Sequence, residues 1–423
     1  MKPKIPGVLP SIFALLSGVV FLGLASGLLF TLLGIRMAAA GTSAYMIGVV
    51  GSAYFAGLLA GSVLSIRVIR RVGHIRAFSV FAAVSAIAAL LHVLLPAVSV
   101  WAVLRAAMGF SMAGLFMVAE SWLHAKATNE SRGRTFALFA LAHSGGVGAG
   151  PLLINVTDPA ADQLFLIASI LFSIALLPVA LTRVGNPELT GSGRFGFREL
   201  FAISPVAVVG VFAMGLVQSG FYGLGAVFGE RVGLTTATTS LFMTVTVLGG
   251  FLMQYPIGAL SDRLDRRGVM IALSVVAGTA AGGIFLSGGA GPATLLMLAF
   301  VYGGACQPMY GLAMAHANDY VETHDFVAAS AGLLFAYGVG ASIGPIVASA
   351  GMAWLGPPGL FAFLAVVLLA FGGFVGYRMR LREPIPMAEQ GEFIVVPRMT
   401  PAAAALDPRA PVEERDETAA EGT

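Results

Sequence analysis

Charged side chains are scarce in this sequence. Only 11% of its 423 residues are Asp, Glu, Lys or Arg, whereas 57% are hydrophobic. Soluble proteins carry about 25% charged and about 45–50% apolar residues. A water-soluble fold of this size would have to expose much of that apolar surface. The composition therefore excludes an ordinary soluble protein and indicates that a lipid bilayer is the solvent.

Cysteine and the signatures of enzyme chemistry are also missing. Cys306 is the only cysteine, which excludes a disulfide within the chain. The sequence has no H-E-x-x-H motif, no nucleophile elbow and no cluster of metal-ligating residues. We therefore expect neither an enzyme nor a bound metal or cofactor. A channel is disfavoured as well, because no repeated segment resembles a selectivity filter.

Long apolar runs make up most of the chain. A helix that crosses the hydrocarbon core needs about 20 mostly apolar residues. Twelve runs meet this requirement: 11–33, 45–66, 76–95, 98–120, 135–156, 163–182, 204–228, 237–260, 269–288, 292–316, 326–350 and 355–377. They predict an all-α membrane protein with twelve transmembrane helices. The first run exceeds the roughly 7–15 apolar residues of a signal peptide, so we expect it to be a retained helix.

Positive charges alternate from side to side along the chain. If the N-terminus is cytoplasmic, 18 Lys and Arg residues lie on the inner side and only Arg36 and Arg231 on the outer side, leaving aside Arg105 within the fourth run and the tail after residue 382. Cytoplasmic loops of membrane proteins carry such an excess. The pattern predicts a multi-pass protein of the bacterial inner (plasma) membrane with both termini in the cytoplasm. The acidic loop 317–325 is the one inner connection that departs from it.

A polar break divides the twelve runs into two sets of six. We expect a six-helix bundle over residues 1–182, a cytoplasmic linker over 183–203 and a second bundle over 204–378. The segment 379–423 is rich in Pro, Ala and Glu and lacks periodicity, so we expect a disordered cytoplasmic tail.

The two halves also resemble each other. Residues 137–151 match residues 331–345 at an offset of 194, and each segment ends in Gly-Pro. The Arg-Arg loop at 70–71 precedes the Asp-Arg loop at 262–263 by 192 residues. Two matches at nearly one spacing indicate a duplicated six-helix unit.

The loop between the eighth and ninth runs carries a recognisable motif. Residues 258–267 read GALSDRLDRR and resemble the signature G-x-x-x-D-R-x-G-R-[KR] of the major facilitator superfamily, with Asp265 in place of the second glycine. The corresponding loop of the first half, residues 66–74, lacks the signature's first glycine and its acid. The resemblance implies two pseudo-symmetric six-helix bundles that rock about a central site and expose it alternately to each side.

The fourth run adds a second resemblance. Arg105-Ala-Ala-Met-Gly109 looks like the superfamily's R-x-x-x-G motif, and Glu120-Ser121 followed by residues 131–134 is similar to the YcaD-like branch. A guanidinium within the bilayer is costly unless it faces protein or water. We interpret Arg105 as an electrostatic element of transport coupling. The alternative is a structural donor to backbone carbonyls of the first helix.

Several residues are candidates for a gate at the inner side. Glu120 lies near the inner end of the fourth run, where Arg70, Arg71 and Arg134 gather, and we expect ion pairs that form and break as that side closes and opens. A static ion pair is the alternative. The signature resemblance gives Asp262 and Arg263 the same gating role in the second half. His143 is a candidate proton carrier, since histidine titrates near neutral pH, and a neutral buried histidine is the alternative.

The substrate candidates follow from the resemblance. The first, fourth, seventh and tenth helices of the superfamily line its central cavity, which makes Gln218, Tyr222, Gln307 and Tyr310 candidate substrate-binding residues. Each also fits a simple packing role. Since this fold serves many chemistries, the resemblance does not name the substrate.

We therefore expect a secondary active transporter that moves a small, amphipathic organic molecule by alternating access, with proton-coupled efflux by an antiporter as the favoured mode. Import of a polar nutrient is the runner-up, and a non-transporting membrane sensor is the alternative from a different class. The expected partners are the substrate, protons and the bilayer, with no nucleic acid, and the expected state is a monomer.

Overall fold

A computed structural model describes residues 8–126, 132–181, 197–287, 291–322 and 325–383, together with 385–386, 390–391 and 393. Within these residues the regular structure is helical, and no strand occurs. The predicted fold class is therefore confirmed.

The helices follow the predicted runs closely. The first half contains α1 Val8–Ala39, α2 Ala44–Val72, α3 His74–Leu94, α4 Val98–Lys126, α5 Arg132–Ala149 with the 3-10 segment Gly150–Val156, and α6 Gln163–Ala180. The second half contains α7 Phe197–Ile203, α8 Pro205–Arg231, α9 Thr236–Ser261, α10 Arg266–Leu286, α11 Pro292–Cys306, α12 Met309–Asn318, α13 Phe326–Leu355 and α14 Gly359–Met379. Eleven candidate spans in the described residues are long and apolar enough to cross a membrane, and α6 is a shorter apolar helix.

Three details differ from the predicted runs. The fifth run ends as a 3-10 segment that begins at Gly150, just before Pro151, which has no N–H to continue the α-helix. The tenth run is divided into α11 and α12 at Gln307 and Pro308 for the same reason. The short helix α7 lies inside the predicted linker, whose residues 183–196 fall outside the described residues.

The duplication is visible in how helices pack. A Cβ atom on Gly146 of α5 would collide with the carbonyl oxygen of Val20 on α1, and one on Gly340 of α13 would collide with that of Phe212 on α8. These residues are equivalent at the offsets of 192 and 194 found in the sequence. Missing side chains let helix backbones approach closely in membrane proteins, so each half uses the same contact.

The same repeat governs the connections after α1 and α8. Gly41 has φ 71° and Gly233 has φ 80°, a left-handed conformation that glycine adopts without a Cβ clash. Two residues later, Ser43 and Thr235 cap α2 and α9 by accepting backbone N–H bonds. All four residues stand at the 192-residue offset.

The helix ends form two faces. We call the face that carries Arg70, Arg71 and Arg378 the arginine-rich face, and the opposite face, which carries Arg36 and Arg231, the arginine-poor face. At the arginine-poor face the Arg231 guanidinium donates to the Thr42 carbonyl (2.6 Å), which joins α8 to the loop before α2. The bundles are thus tied together at this end.

A second bond ties the bundles there. The Asn155 side-chain amide donates to the Ser240 hydroxyl (2.9 Å), which joins the 3-10 segment to α9. Arg36 acts within the first half instead: it pairs with Asp162 (2.9 Å) and donates to the Ala160 carbonyl. Both arginines of the arginine-poor face are therefore engaged in holding it closed or ordered.

Candidate functional site

A cavity lies between the two bundles. Its empty space is about 1080 Å³ with the open mouth included. Both halves line it: α1, α2, α4 and α5 from the first, and α8, α9, α11 and α13 from the second, with Gln307 at the end of α11. A site shared by two bundles is one whose access changes when the bundles move relative to each other.

The two walls differ in chemistry. The first half contributes an aromatic wall with few polar groups: Phe30, Tyr54, Phe55, Met112, Phe139 and His143, beside Ser26 and Ser144. The second half contributes amides and phenols: Gln218, Tyr222, Gln254, Gln307 and Tyr337. No Asp, Glu, Lys or Arg is among the described residues that line the cavity. The site therefore offers stacking surfaces and neutral hydrogen-bonding groups.

The polar wall is internally hydrogen-bonded. The Gln307 side-chain amide donates to the Tyr222 hydroxyl (3.2 Å), and the Tyr337 hydroxyl donates to the Gln218 carbonyl oxygen (3.1 Å). These bonds fix the direction in which each amide presents its donor and acceptor. A ligand meets an ordered pattern rather than freely rotating side chains.

The repeat places equivalent residues on facing walls. Ser26 corresponds to Gln218 and Phe30 to Tyr222 at the 192-residue offset, and His143 corresponds to Tyr337 at 194. All six residues line the cavity. The two walls are thus equivalent surfaces of the repeat, and the second carries the amide and phenol groups.

Arg105 lies one layer behind the aromatic wall. It is 2% exposed, and its guanidinium carbon lies 4.3 Å from the ring centroid of Tyr54 and 4.6 Å from that of Phe30. The Phe30 ring in turn lies 5.7 Å from the Tyr222 ring, centroid to centroid, across the bundle boundary. Cation–π contacts of this kind are worth about 2 kcal/mol when desolvated. Arg105 therefore contacts the cavity lining at Phe30, and the Phe30 ring in turn contacts the second bundle at Tyr222.

The structure brings most of the predicted substrate residues together. Gln218, Tyr222 and Gln307 line the cavity, as does the proton-carrier candidate His143. Tyr310 does not: it is 1% exposed and its ring packs 5.1 Å from that of Tyr337, one layer behind the wall.

Gln254 and Tyr337 were not predicted from the sequence as substrate contacts. Both line the cavity, but they lie on α9 and α13, which the superfamily pattern does not place at the site. The repeat carried a signal for Tyr337, because it is the equivalent of His143.

Comparisons with known proteins agree with this architecture. The family model described as Major Facilitator Superfamily matches residues 15–290 and 207–406. The chain belongs to the Major Facilitator Superfamily. It is 30% identical over 336 residues to the uncharacterised MFS-type transporter YcaD of Escherichia coli strains SMS-3-5 and 55989, and the match covers 79% of this chain and 87% of YcaD.

Solved structures of superfamily transporters share the fold. A point mutant of the nucleoside transporter NupG superposes with a TM-score of 0.73 at 13% identity, over 87% of this chain and 99% of that one. A bacterial homologue of the human lysosomal transporter Spinster, inward-facing and unoccupied, gives 0.66 at 14% identity, over 92% and 98%. This MFS protein is therefore a multi-pass membrane transporter of a small-molecule substrate, with the YcaD relationship predicted from its sequence.

The superfamily signature loop forms a buried ion-pair cluster at the arginine-rich face. Arg266 is 1% exposed and pairs with Asp319 (2.6 Å) and Asp262 (3.4 Å). Asp319 belongs to the acidic loop that departs from the charge pattern, so its carboxylate has a structural reason: it neutralises a buried guanidinium. Arg263 is exposed, whereas Arg266 and Arg267 are the buried arginines of this loop.

Asp265 and Arg267 form the second pair of the loop. The Arg267 guanidinium lies 2.9 Å from the Asp265 carboxylate, and the Arg267 backbone N–H donates to the same group (3.0 Å). Burial raises the pKa of Asp265, but the hydrogen bonds and charge of Arg267 outweigh it and hold this pKa below its ordinary value. Asp265 thus stays ionised as the cap of α10.

The gate of the first half remains a prediction. Glu120 is fully buried near the arginine-rich end of α4, while Arg70 and Arg71 are exposed in the last turn of α2. The side chain of Arg134 falls outside the described residues. A fully buried carboxylate at this position fits a latch that closes against arginines of neighbouring loops.

Proposed function

We propose that this transporter binds a small, uncharged, amphipathic organic molecule in the cavity between its bundles and moves it by alternating access. The observation that carries the proposal is the cavity itself: both bundles line it, and its described lining contains no charged residue. Uptake or export then requires only that the bundles tilt about the bound molecule.

The lining supports an uncharged substrate. Removing an ion from water costs several kcal/mol unless a counter-charge or a full set of hydrogen bonds replaces its hydration. The aromatic wall around Phe30 and Phe55 offers stacking, and the amides of Gln218 and Gln307 offer both donors and acceptors. A flat molecule with one apolar face and an amide-like edge matches both walls.

The contacts between bundles support alternating access. The Arg231–Thr42 and Asn155–Ser240 bonds hold the arginine-poor face together. Both must break for the cavity to open on that side. Each of these hydrogen bonds contributes about 1 kcal/mol to holding that face together, a contribution that substrate binding or protonation can offset.

We propose proton-coupled export as the mode. His143 lines the cavity, and histidine is the side chain whose charge changes most readily near neutral pH. Protonation of His143 places a cation in a described lining that is otherwise uncharged and turns the acceptor nitrogen of the ring into a donor, which changes how the site holds an uncharged molecule. Proton entry and substrate release are then linked. With the arginine-rich face in the cytoplasm, as the positive charges predict, the substrate leaves through the arginine-poor face.

Matched ligand pairs test the proposal. Purified protein is heated with 2-naphthamide or 2-naphthoate, and with uridine or uridine monophosphate, at pH 6 and pH 8. A ligand at about 100 times its Kd adds about 2.7 kcal/mol to the free energy of unfolding. We expect the uncharged member of a pair to stabilise the protein and the anion to have no effect. Gln307→Leu should abolish the shift, and His143→Gln should remove its dependence on pH.

The stabilising compound is then tested for counterflow in proteoliposomes. Only a carrier exchanges internal for external substrate across a sealed membrane, so exchange distinguishes transport from sensing. Stabilisation by the anions rather than the neutral molecules contradicts the proposed substrate class, and binding without counterflow contradicts transport.

A further inference from the structure

The chain beyond α14 returns to the bundle at the arginine-rich face. Arg382 donates to the Ile203 carbonyl (2.8 Å) and its guanidinium lies 4.1 Å from the ring centroid of Tyr320. Arg267 donates to the Arg382 carbonyl (2.7 Å). These contacts hold the start of the C-terminal segment beside the signature loop.

Gly391 and Phe393 then bind the ion-pair cluster through their backbone. The Gly391 N–H donates to Asp319 (3.1 Å), the Phe393 N–H donates to Asp262 (2.8 Å), and the Gly391 carbonyl accepts from Arg266. The cluster has two carboxylates and one guanidinium, so two backbone N–H donors complement its excess of negative charge.

The Phe393 ring fills a slot between α9 and α12. A Cβ atom on Gly258 of α9 would collide with the ring, and one on Gly311 of α12 would lie 3.0 Å from it. Apart from the neighbouring residues and backbone of α12 itself, the ring supplies the only atoms of the described residues within 4 Å of a Cβ at Gly311. Two glycines facing one aromatic ring make a receptor shaped for a side chain of this size.

The slot adjoins the cavity. Gly258 follows Gln254 by four residues on α9, and Gly311 follows Gln307 by four residues at the start of α12. Residues four apart on one helix share a face and are separated by about 6 Å along the axis, as Gln254 and Gly258 do on α9. Since Gln254 and Gln307 line the cavity, Phe393 lies one helical turn from it, on the side of the arginine-rich face.

We propose that this slot is a docking site for the chain's own C-terminal segment, and that Phe393 acts as a plug which closes the cavity from the arginine-rich face. The Asp262–Arg266–Asp319 cluster holds the plug in place through backbone hydrogen bonds. The plug restrains transport while docked, and its release opens the path to that face. The signature loop thus acts as a receptor for the tail as well as a gate element.

Cysteine labelling tests the plug without any substrate. Replacing Cys306 with Ala gives a cysteine-free background, because it is the only cysteine. Gln254→Cys in that background reports access to the cavity, and its labelling rate with a membrane-impermeant maleimide is measured in detergent. Tyr255→Cys, on the neighbouring residue that is 82% exposed, serves as the reference for the reagent and the fold.

Phe393→Ala should raise the labelling rate at position 254 by about tenfold, the change that about 1.4 kcal/mol of docking free energy produces. Gly311→Val should do the same, because its side chain takes the place of the ring. Phe393→Leu should restore most of the protection, and Gly268→Ala, where an added Cβ meets nothing within 4 Å, should change nothing.

Unchanged labelling at position 254 in both Phe393→Ala and Gly311→Val, with the reference rate constant, would overturn the plug. An equal rise at positions 254 and 255 would overturn it too, since that signals general loosening. Neither result depends on transport, so the outcome is separate from that of the proposed function.

Discussion

At the scale of single residues, the key feature is Arg105, a buried arginine that stacks on aromatic rings. Arg105 stacks on Phe30 and Tyr54, and it forms no ion pair with the other described residues. The planar, delocalised guanidinium suits such stacking better than a compact ammonium does. The contact explains how a charge is kept in an apolar bundle. It also links the first bundle to Tyr222 of the second through the Phe30 ring.

Arg105→Met tests whether that charge serves function or stability. A buried charge without a counter-ion carries a desolvation cost, and Met removes that charge while it keeps an apolar side chain of similar length at the site. We expect a thermal midpoint close to that of the parent protein and loss of counterflow of the compound that stabilises the parent. Arg105→Lys should keep part of the exchange. The exposed Arg76→Met is the control. A folded Arg105→Met that exchanges substrate normally would make Arg105 a structural residue only.

At the scale of elements, close helix packing through glycine is the repeated device. A Cβ atom on Gly109 of α4 would collide with the Tyr54 carbonyl on α2, and one on the equivalent Gly303 of α11 would collide with the Thr246 carbonyl on α9. In each half this contact sets how near two cavity-lining helices approach. It therefore determines the width of each wall.

Gly109→Val and Gly303→Val should destabilise the protein to a similar degree. Overpacking of this kind costs about 1–3 kcal/mol. Gly282→Val is the matched control, because an added Cβ at Gly282 on α10 meets nothing within 4 Å. Unfolding of the purified protein in mixed micelles measures the loss. Equal damage at Gly282 would show that the cost arises from helix propensity rather than from packing.

The sequence predicted the helices well, but it did not show which face of each helix lines the cavity. Length and hydropathy identified all the spans, since about 20 apolar residues have few other solutions in a bilayer. These helices are apolar around most of their circumference, so periodicity does not tell which face meets the cavity. That is why Tyr337 was missed and why Tyr310, one layer behind it, was chosen.

The charged loop shows the same limit. The signature identified residues 258–267, but their burial depends on partners far along the chain: Asp319 for Arg266, and Arg382 for Arg267. Three predicted residues that line the cavity, Gln218, Tyr222 and Gln307, came from the superfamily's arrangement of helices. The position of Gln254 at the cavity became clear only from the fold, because α9 was not expected to line the site.

At the scale of the whole molecule, two diverged copies of one bundle enclose an uncharged cavity. They are tied together at the arginine-poor face by Arg231 and Asn155. At the arginine-rich face the Phe393 N–H donates to Asp262 of the second bundle, where we propose that its ring closes the other approach. In this arrangement the bundles can tilt only by exchanging one set of contacts for another. Opening one face therefore goes with closing the other.

Distances between spin labels at both faces measure that exchange most directly. In the Cys306→Ala background, labels at exposed positions 40 and 232 span the bundles at the arginine-poor face, and labels at 67 and 264 span them at the arginine-rich face. Arg231→Ala removes the bond to Thr42. If the bundles rock about the cavity, the 40–232 distance lengthens in this variant and the 67–264 distance shortens. If both distances stay fixed, or both change in the same direction, the two bundles do not rock about the cavity. Alternating access by tilting of the bundles is then contradicted.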